Sequence, residues 1–349
     1  MSKSNNETSA LIVTLAITAA IIGGAAWWLK DSGLLQLGEG SPTLETTQNN
    51  SDGGSAGGGS AGAGFSDVTN VPSGRFTYGG STTWAPLRGV ADPVIGGALP
   101  NFKLEYRDAS GSSDGIAKLI AGELDFAQSS RPLEEAEKQQ AQAAGFALEE
   151  IPVAMEGVAI ATNPNLSIPG LTLNQIKGIY TGQITNWSQV GGPNLAIVPA
   201  SRSNDGGTVQ FFQETVLAGQ PFTPNTQRLS TTTAALRFVS DNPGAIYFAS
   251  APEVVGQCTV APLPIGAEGG QLVPPYQQPY VAPANCPSQR NQLNLSAFQS
   301  QAYPLTRPLY VIIRKDGQPA EQAGTAYAQL LKTQEGARLL QQAGFVPLP

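Results

Sequence analysis

Among its 349 residues the chain has no histidine. That absence removes the commonest general base, the commonest metal ligand and every Ser-His or Cys-His nucleophile arrangement. Cysteine is almost as scarce: there are two, Cys258 and Cys286, at a spacing that fits neither a zinc site nor a redox CxxC. In an oxidising compartment they would form one disulfide, and two buried free thiols are the alternative. Basic residues are also few, 19 Lys and Arg against 26 Asp and Glu, for a formal charge of -7. Nothing in that balance suggests the positive footprint that nucleic acid or an anionic membrane surface selects. An anionic ligand would therefore have to be held by local groups rather than by the overall field.

One long apolar run is present, Leu11 to Trp28, LIVTLAITAAIIGGAAWW. As a helix it is long enough to cross a hydrocarbon core of about 30 Å. It reads as a membrane anchor behind a short cytoplasmic tail at 1–10, with the downstream domain outside the cytoplasm. A cleaved signal peptide, with Gly24 and Ala26 before the cut, is the rival reading. The flanking charges Lys3, Glu7, Lys30 and Asp31 nearly balance, so loop charge gives little orientation. No cysteine follows the run closely enough for a lipid anchor. Between Gly38 and Gly64 the chain is almost wholly Gly, Ser, Ala, Thr, Asn and acidic residues, which cannot bury enough apolar surface to order themselves. Residues 29–70 are read as a flexible linker, and a globular composition extends over 71–349.

Within 71–349, short apolar runs alternate with helical patterns. The runs are FTYGG at Phe76, KLEYRD at Leu104, LDFAQ at Phe126, VAIAT at Ile160, AIVPA at Val198, AIYFA at Tyr247 and LYVIIR at Ile312. Helical stretches are predicted after Thr83, after Ser113, over 133–144, after Thr208 and over 320–343. This alternation predicts an α/β fold with largely parallel sheets.

Three strand-to-helix turns are rich in glycine and hydroxyl residues: Gly79-Gly80-Ser81-Thr82-Thr83, Gly111-Ser112-Ser113-Asp114-Gly115, and Arg202 to Thr208. A helix N-terminus presents unpaired N–H groups and the positive end of the helix dipole, and glycine lets an anion approach the backbone. Several such ends converging would cradle an anion. Each turn taken alone is equally readable as an ordinary N-cap. A fourth turn, Gln128 to Leu133, has the same alternative. Arg202 is the only basic residue between Lys177 and Arg228, and a guanidinium there can clamp an oxyanion through parallel hydrogen bonds.

The order of these turns resembles that of the phosphate-binding proteins of Pst-type ABC importers, from about Phe76 to the closing Gly344-Phe345-Val346-Pro347-Leu348-Pro349. The most specific stretch, Leu173 to Trp187, is similar to that family's IYxGxIxxW segment, and Asn242-Pro243-Gly244-Ala245-Ile246-Tyr247 adds to the likeness. The resemblance implies a two-lobed periplasmic-binding-protein fold of the second type. One lobe would be built from about 71–155 and 248–349, the other from about 156–247. It implies inorganic phosphate as ligand and an ABC permease as partner, with no cofactor, no metal and no enzymatic step, in a monomer. The family's ligand contacts fall on Thr82, Thr83, Ser112, Arg202, Gly207 and Thr208. Two positions depart: Ser130 stands where the family has an aspartate that accepts the hydrogen carried by phosphate, and Gly206 where it has a serine. Asp114 or Asp205, each beside a ligand turn, is the candidate substitute for that acceptor.

Two other roles are compatible with the same residues. A sensor would bind the oxyanion without delivering it to a permease. A hydrolase would use Ser112, Ser129 or Ser130 as nucleophile, but it lacks a base, since the sequence has neither histidine nor a Ser-x-x-Lys pattern.

Overall fold

The computed structural model describes residues 64–107, 111–203 and 206–349. The predicted tail, the apolar run at 11–28 and the linker up to residue 63 lie outside the described residues, as do Asn204 and Asp205. Among the described residues no helix is long and apolar enough to cross a membrane.

Every apolar run singled out above forms a strand. With one short strand that no run announced, β6, the strands in chain order are β1 (Gly74–Gly80), β2 (Phe102–Tyr106), β3 (Phe126–Ser129), β4 (Ala147–Thr162), β5 (Val198–Arg202), β6 (Gln227–Leu229), β7 (Ala245–Ser250) and β8 (Thr306–Lys315). Hydrogen bonding orders them β2-β1-β3-β8-β4-β7-β5-β6. The outer pairs on both sides are parallel, but β8 runs antiparallel to both β3 and β4, and β4 antiparallel to β7. The sheet is therefore mixed rather than largely parallel. Every residue of β3 and β7 is buried, as expected of strands covered on both faces.

The helices that matter for the site are α1 (Ala85–Ala98), α2 (Ser112–Ile120), α3 (Glu135–Ala143), α4 (Leu173–Thr181), α5 (Gly207–Thr215), α6 (Thr232–Asp241), α7 (Ala251–Val254), α8 (Pro319–Lys332) and α9 (Gln334–Gln342). The pattern predicted as one helix over 320–343 is two, because Thr333 stops α8 and its hydroxyl accepts from Gly336 N–H to cap α9.

Two apolar cores define two lobes. The first gathers Phe65, Tyr78, Trp84, Phe126, Val153, Leu309, Tyr327 and Phe345. The second gathers Ile160, Tyr180, Trp187, Phe212, Phe248, Phe298 and Leu305. The 16-residue strand β4 belongs to both: it pairs with β8 up to Gly157 and with β7 from Val158 onward. The chain returns beside the same point, with Thr306 opposite Gly157 and Arg307 opposite Glu156. Two expected boundaries shift accordingly. The chain does not leave the second lobe at 247/248, because β7 lies between β4 and β5 and cannot be divided there; residues up to Leu305 pack in the second core. The first core also begins before Val71, since Phe65 is buried in it.

Candidate ligand-binding site

Glycine places the first two turns. Gly80 ends β1 at φ 123°, and a Cβ on it would strike the Gln128 carbonyl. Gly115 in α2 lies directly on Gly80, where any side chain would collide with the Gly80 backbone. This contact of backbone on backbone brings the start of α2 beside the start of the turn at Thr82–Trp84. In that first turn Ser81 acts as the cap, its hydroxyl accepting from Thr83 N–H at 3.3 Å. Trp84, fully buried, ties the turn to β3 by donating from Nε1 to the Ser129 carbonyl at 3.1 Å.

The other two turns behave differently. The N-cap of α2 is Gly111 and that of α5 is Gly206, and among the described residues neither helix start receives a side-chain cap. The two ends face each other across the lobes: a Cβ on Gly111 would lie 3.2 Å from Gly206 Cα. Two helix N-termini with unpaired N–H groups thus converge on one place.

That place is a cavity of about 20 Å³, lined from the first lobe by Ser81, Thr82 and Gly111 and from the second by Arg202, Gly206, Gly207, Thr208, Thr232, Tyr247 and Glu253, with Val209, Phe248 and Ala249 closing it. It is the scale of one small polar species, far below the several hundred Å³ of an organic-ligand pocket. Arg202 points into it from the end of β5. The only hydrogen bond of its guanidinium among the described residues is a long one, Nη1 to Thr232 Oγ1 at 3.4 Å, and its buried Nε has no partner. A half-buried guanidinium whose Nε lacks an acceptor is matched to an anion that supplies one.

Five of the eight expected ligand residues line the cavity: Thr82, Arg202, Gly206, Gly207 and Thr208. The other three stand behind it, already bonded within the protein. Ser130 Oγ accepts from Ser81 Oγ at 2.9 Å and lies 3.3 Å from Ser112 Oγ, while Ser112 Oγ also accepts from Ser130 N–H at 3.1 Å. Thr83 Oγ1 accepts from Arg307 Nη2 at 3.2 Å. Of the proposed substitute acceptors, Asp114 forms an ion pair with Lys118 on α2 at 2.8 Å, and Asp205 is outside the described residues.

Sequence reasoning missed the second arginine. Arg307, at the crossing of β8, is buried in an ion pair with Glu156 on β4 at 2.5 Å, and Glu156 also accepts from Ser250 Oγ. The same guanidinium donates to the Gly207 carbonyl and to Thr208 Oγ1, both at 2.8 Å. It therefore clamps α5 of the second lobe to the strands that join the lobes. A further bridge runs from Arg131, held by Glu137 at 2.5 Å, to Gln210 Oε1 of α5 at 2.6 Å. Arg131 stood in a turn read as a cap and Arg307 just before a run read as a strand, and only their position across the lobes marks them. Glu253 and Thr232 carried no motif, and Tyr247 stood in a run read as a strand with no ligand role.

Glu253 is the carboxylate of the cavity. Burial, with Glu156 nearby, pushes it up to about 7, against the opposing pull of Thr232, Arg202 and Arg307.

The cysteines settle the open alternative: Cys258 and Cys286 form a disulfide.

Comparisons with known proteins agree with this architecture. A family model described as PBP superfamily domain matches residues 47–335. The phosphate-binding protein PstS of Staphylococcus aureus (strain USA300) is 26% identical over 300 residues, 85% of this chain and 84% of that protein. Among solved structures, a putative phosphate ABC transporter substrate-binding protein with bound phosphate from Clostridium perfringens is 25% identical, with a TM-score of 0.64 over 79% of this chain and all of the other. An ABC-type phosphate transport receptor from Vibrio cholerae, 24% identical, gives 0.60 over 78% of this chain. With the family match running through both lobes and across both crossing strands, the chain belongs to the PBP superfamily.

Proposed function

We propose that the chain binds inorganic phosphate in the cavity between its lobes, outside the cytoplasm, and presents it to an ABC importer. The observation that carries the reading is the convergence of two helix N-termini, each with glycine as its N-cap, on an arginine whose Nε has no partner. Such a site offers donors and positive potential in a volume suited to one tetrahedral anion. The relatives supply the choice of anion, since the proteins named above are described as binding or transporting phosphate. In this reading the ligand contacts are Thr82, Arg202, Gly206, Gly207 and Thr208, with Thr83, Ser112 and Ser130 setting the shape behind them. The segment at 11–28 anchors a monomeric binding domain to the membrane, and the stretch after it lets that domain reach a permease.

Calorimetry on the full chain in detergent, titrated with phosphate, tests the proposal. Saturable 1:1 binding at micromolar concentration or tighter is expected, and no binding at millimolar phosphate would refute it. Membrane fractionation tests the anchor: full-length protein should sediment with membranes, whereas a soluble form starting near Trp27 would establish cleavage.

A further inference from the structure

Of the groups that border the cavity, Glu253 is the one that an anion site should not contain. It sits on the short helix α7, packed against β4 and β7, and the groups around it are Glu156 and Arg307 on the crossing strands, Tyr247 on β7, Arg202 on β5 and Thr232 at the start of α6. A half-buried carboxylate near an arginine whose Nε is buried ordinarily closes on it. Here the two border the same space with no ion pair between them among the described residues; Arg307 is spent on Glu156, and Arg202 keeps its Nε without a partner. The second-lobe wall of the cavity thus carries both a donor and an acceptor, each within reach of Thr232 and neither paired with the other. Ser130, standing where the resemblance implies an acceptor, is bonded to Ser81 and Ser112 behind the cavity and does not border it.

We infer that Glu253 is the acceptor through which this site selects an oxyanion that carries a hydrogen and rejects one that carries none. The inference rests on the phosphate reading and deepens it. At neutral pH phosphate retains at least one hydrogen and sulfate retains none. The ionised Glu253 carboxylate accepts from the phosphate hydroxyl while Arg202 and the helix ends donate to its remaining oxygens. Sulfate brings no hydrogen, so the same carboxylate faces it as like charge. Once Glu253 is protonated, it donates to either anion and the distinction is lost. Because the carboxyl titrates at about 7, exclusion of sulfate holds above that pH and fades as pH falls through it.

The test is competition calorimetry of phosphate and sulfate on the full chain at pH 8.5 and pH 5.5, with wild type and Glu253→Gln. For wild type, phosphate should be preferred by at least about 100-fold at the higher pH, and the preference should shrink at least about tenfold at the lower. Glu253→Gln, a neutral group of the same shape that can donate, should bind sulfate at pH 8.5 and show a ratio that changes with pH much less than that of wild type, the remainder reflecting phosphate's own ionisation. An unchanged ratio in the variant overturns the inference and leaves phosphate binding intact, as does a wild-type ratio equal at the two pH values, which requires no variant to fold. Failure of wild type to bind phosphate at either pH overturns both.

Discussion

The first lobe meets the cavity with Ser81, Thr82 and Gly111, all uncharged, whereas the second meets it with Arg202, Thr232, Tyr247 and Glu253. Recognition by dipoles comes from both sides, through the starts of α2 and α5, but recognition by charge is confined to one. The lobes differ in construction too. The first closes its core with α8, α9 and the C-terminal residues, while the second carries a disulfide-closed excursion between Cys258 and Cys286 that contains six prolines. A neutral face fits any tetrahedral anion of the right size; the charged face decides which one stays.

The severest way to break this contrast is Arg307→Ala, which strips the clamp that fastens α5 to the crossing strands and leaves Glu156 buried without its partner. Loss of one member of a buried pair should cost about 3–5 kcal/mol of stability, measurable by urea unfolding. Replacing both cysteines by serine acts on the second lobe alone. With a separation of 28 residues the chain-entropy estimate is about 3–4 kcal/mol, and hydrogen exchange should show the loss in the second core with the first still protected. Arg202→Ala should sharpen the comparison rather than break it: phosphate affinity falls at least tenfold, about 1.5–3 kcal/mol, while the unfolding midpoint hardly moves, because Arg202 makes so few bonds within the protein. The mildest effect belongs to the first lobe. Burial pushes Asp92, which accepts from Tyr78 Oη, up to about 6 from 3.8, with Tyr78 and Arg88 opposing. The folded state then holds a proton that the unfolded chain releases, so stability from this group is present below about pH 4 and is lost as pH rises through about 6. Asp92→Asn should flatten the stability profile over that interval.

What the sequence made legible was periodic or punctuated. Phe76, Phe126, Ile160, Tyr247 and Ile312 announced strands by their apolar runs, and glycine beside hydroxyls announced the helix starts at Thr82, Ser112 and Gly207. The segment that best carried the resemblance proves to be packing: Tyr180 donates to the carbonyls of Ala200 and Ile246, and Trp187 to that of Gly244, all within the second core. It speaks for the fold and does not border the cavity. Arg307 and Glu253 stayed hidden because their meaning is long-range. The first pairs with Glu156, which is 151 positions away in the chain, and the second is one acid on a four-residue helix. The return point of the chain was misplaced for a related reason: a strand in the middle of a sheet reads no differently from one at the edge of a lobe.

Gly207 opens α5 against the hydroxyls of Ser112 and Ser130, and a single methyl group there would collide with both. The consequence concerns time rather than geometry. Where two bodies close on a guest, the last fraction of an ångström governs how long the guest remains, far more than how quickly it arrives. A residue with no side chain at the point of contact lets the jaws meet fully; alanine would act as a wedge, leaving capture unhindered and release premature. The smallest residue in the chain would then set the dwell time of the cargo.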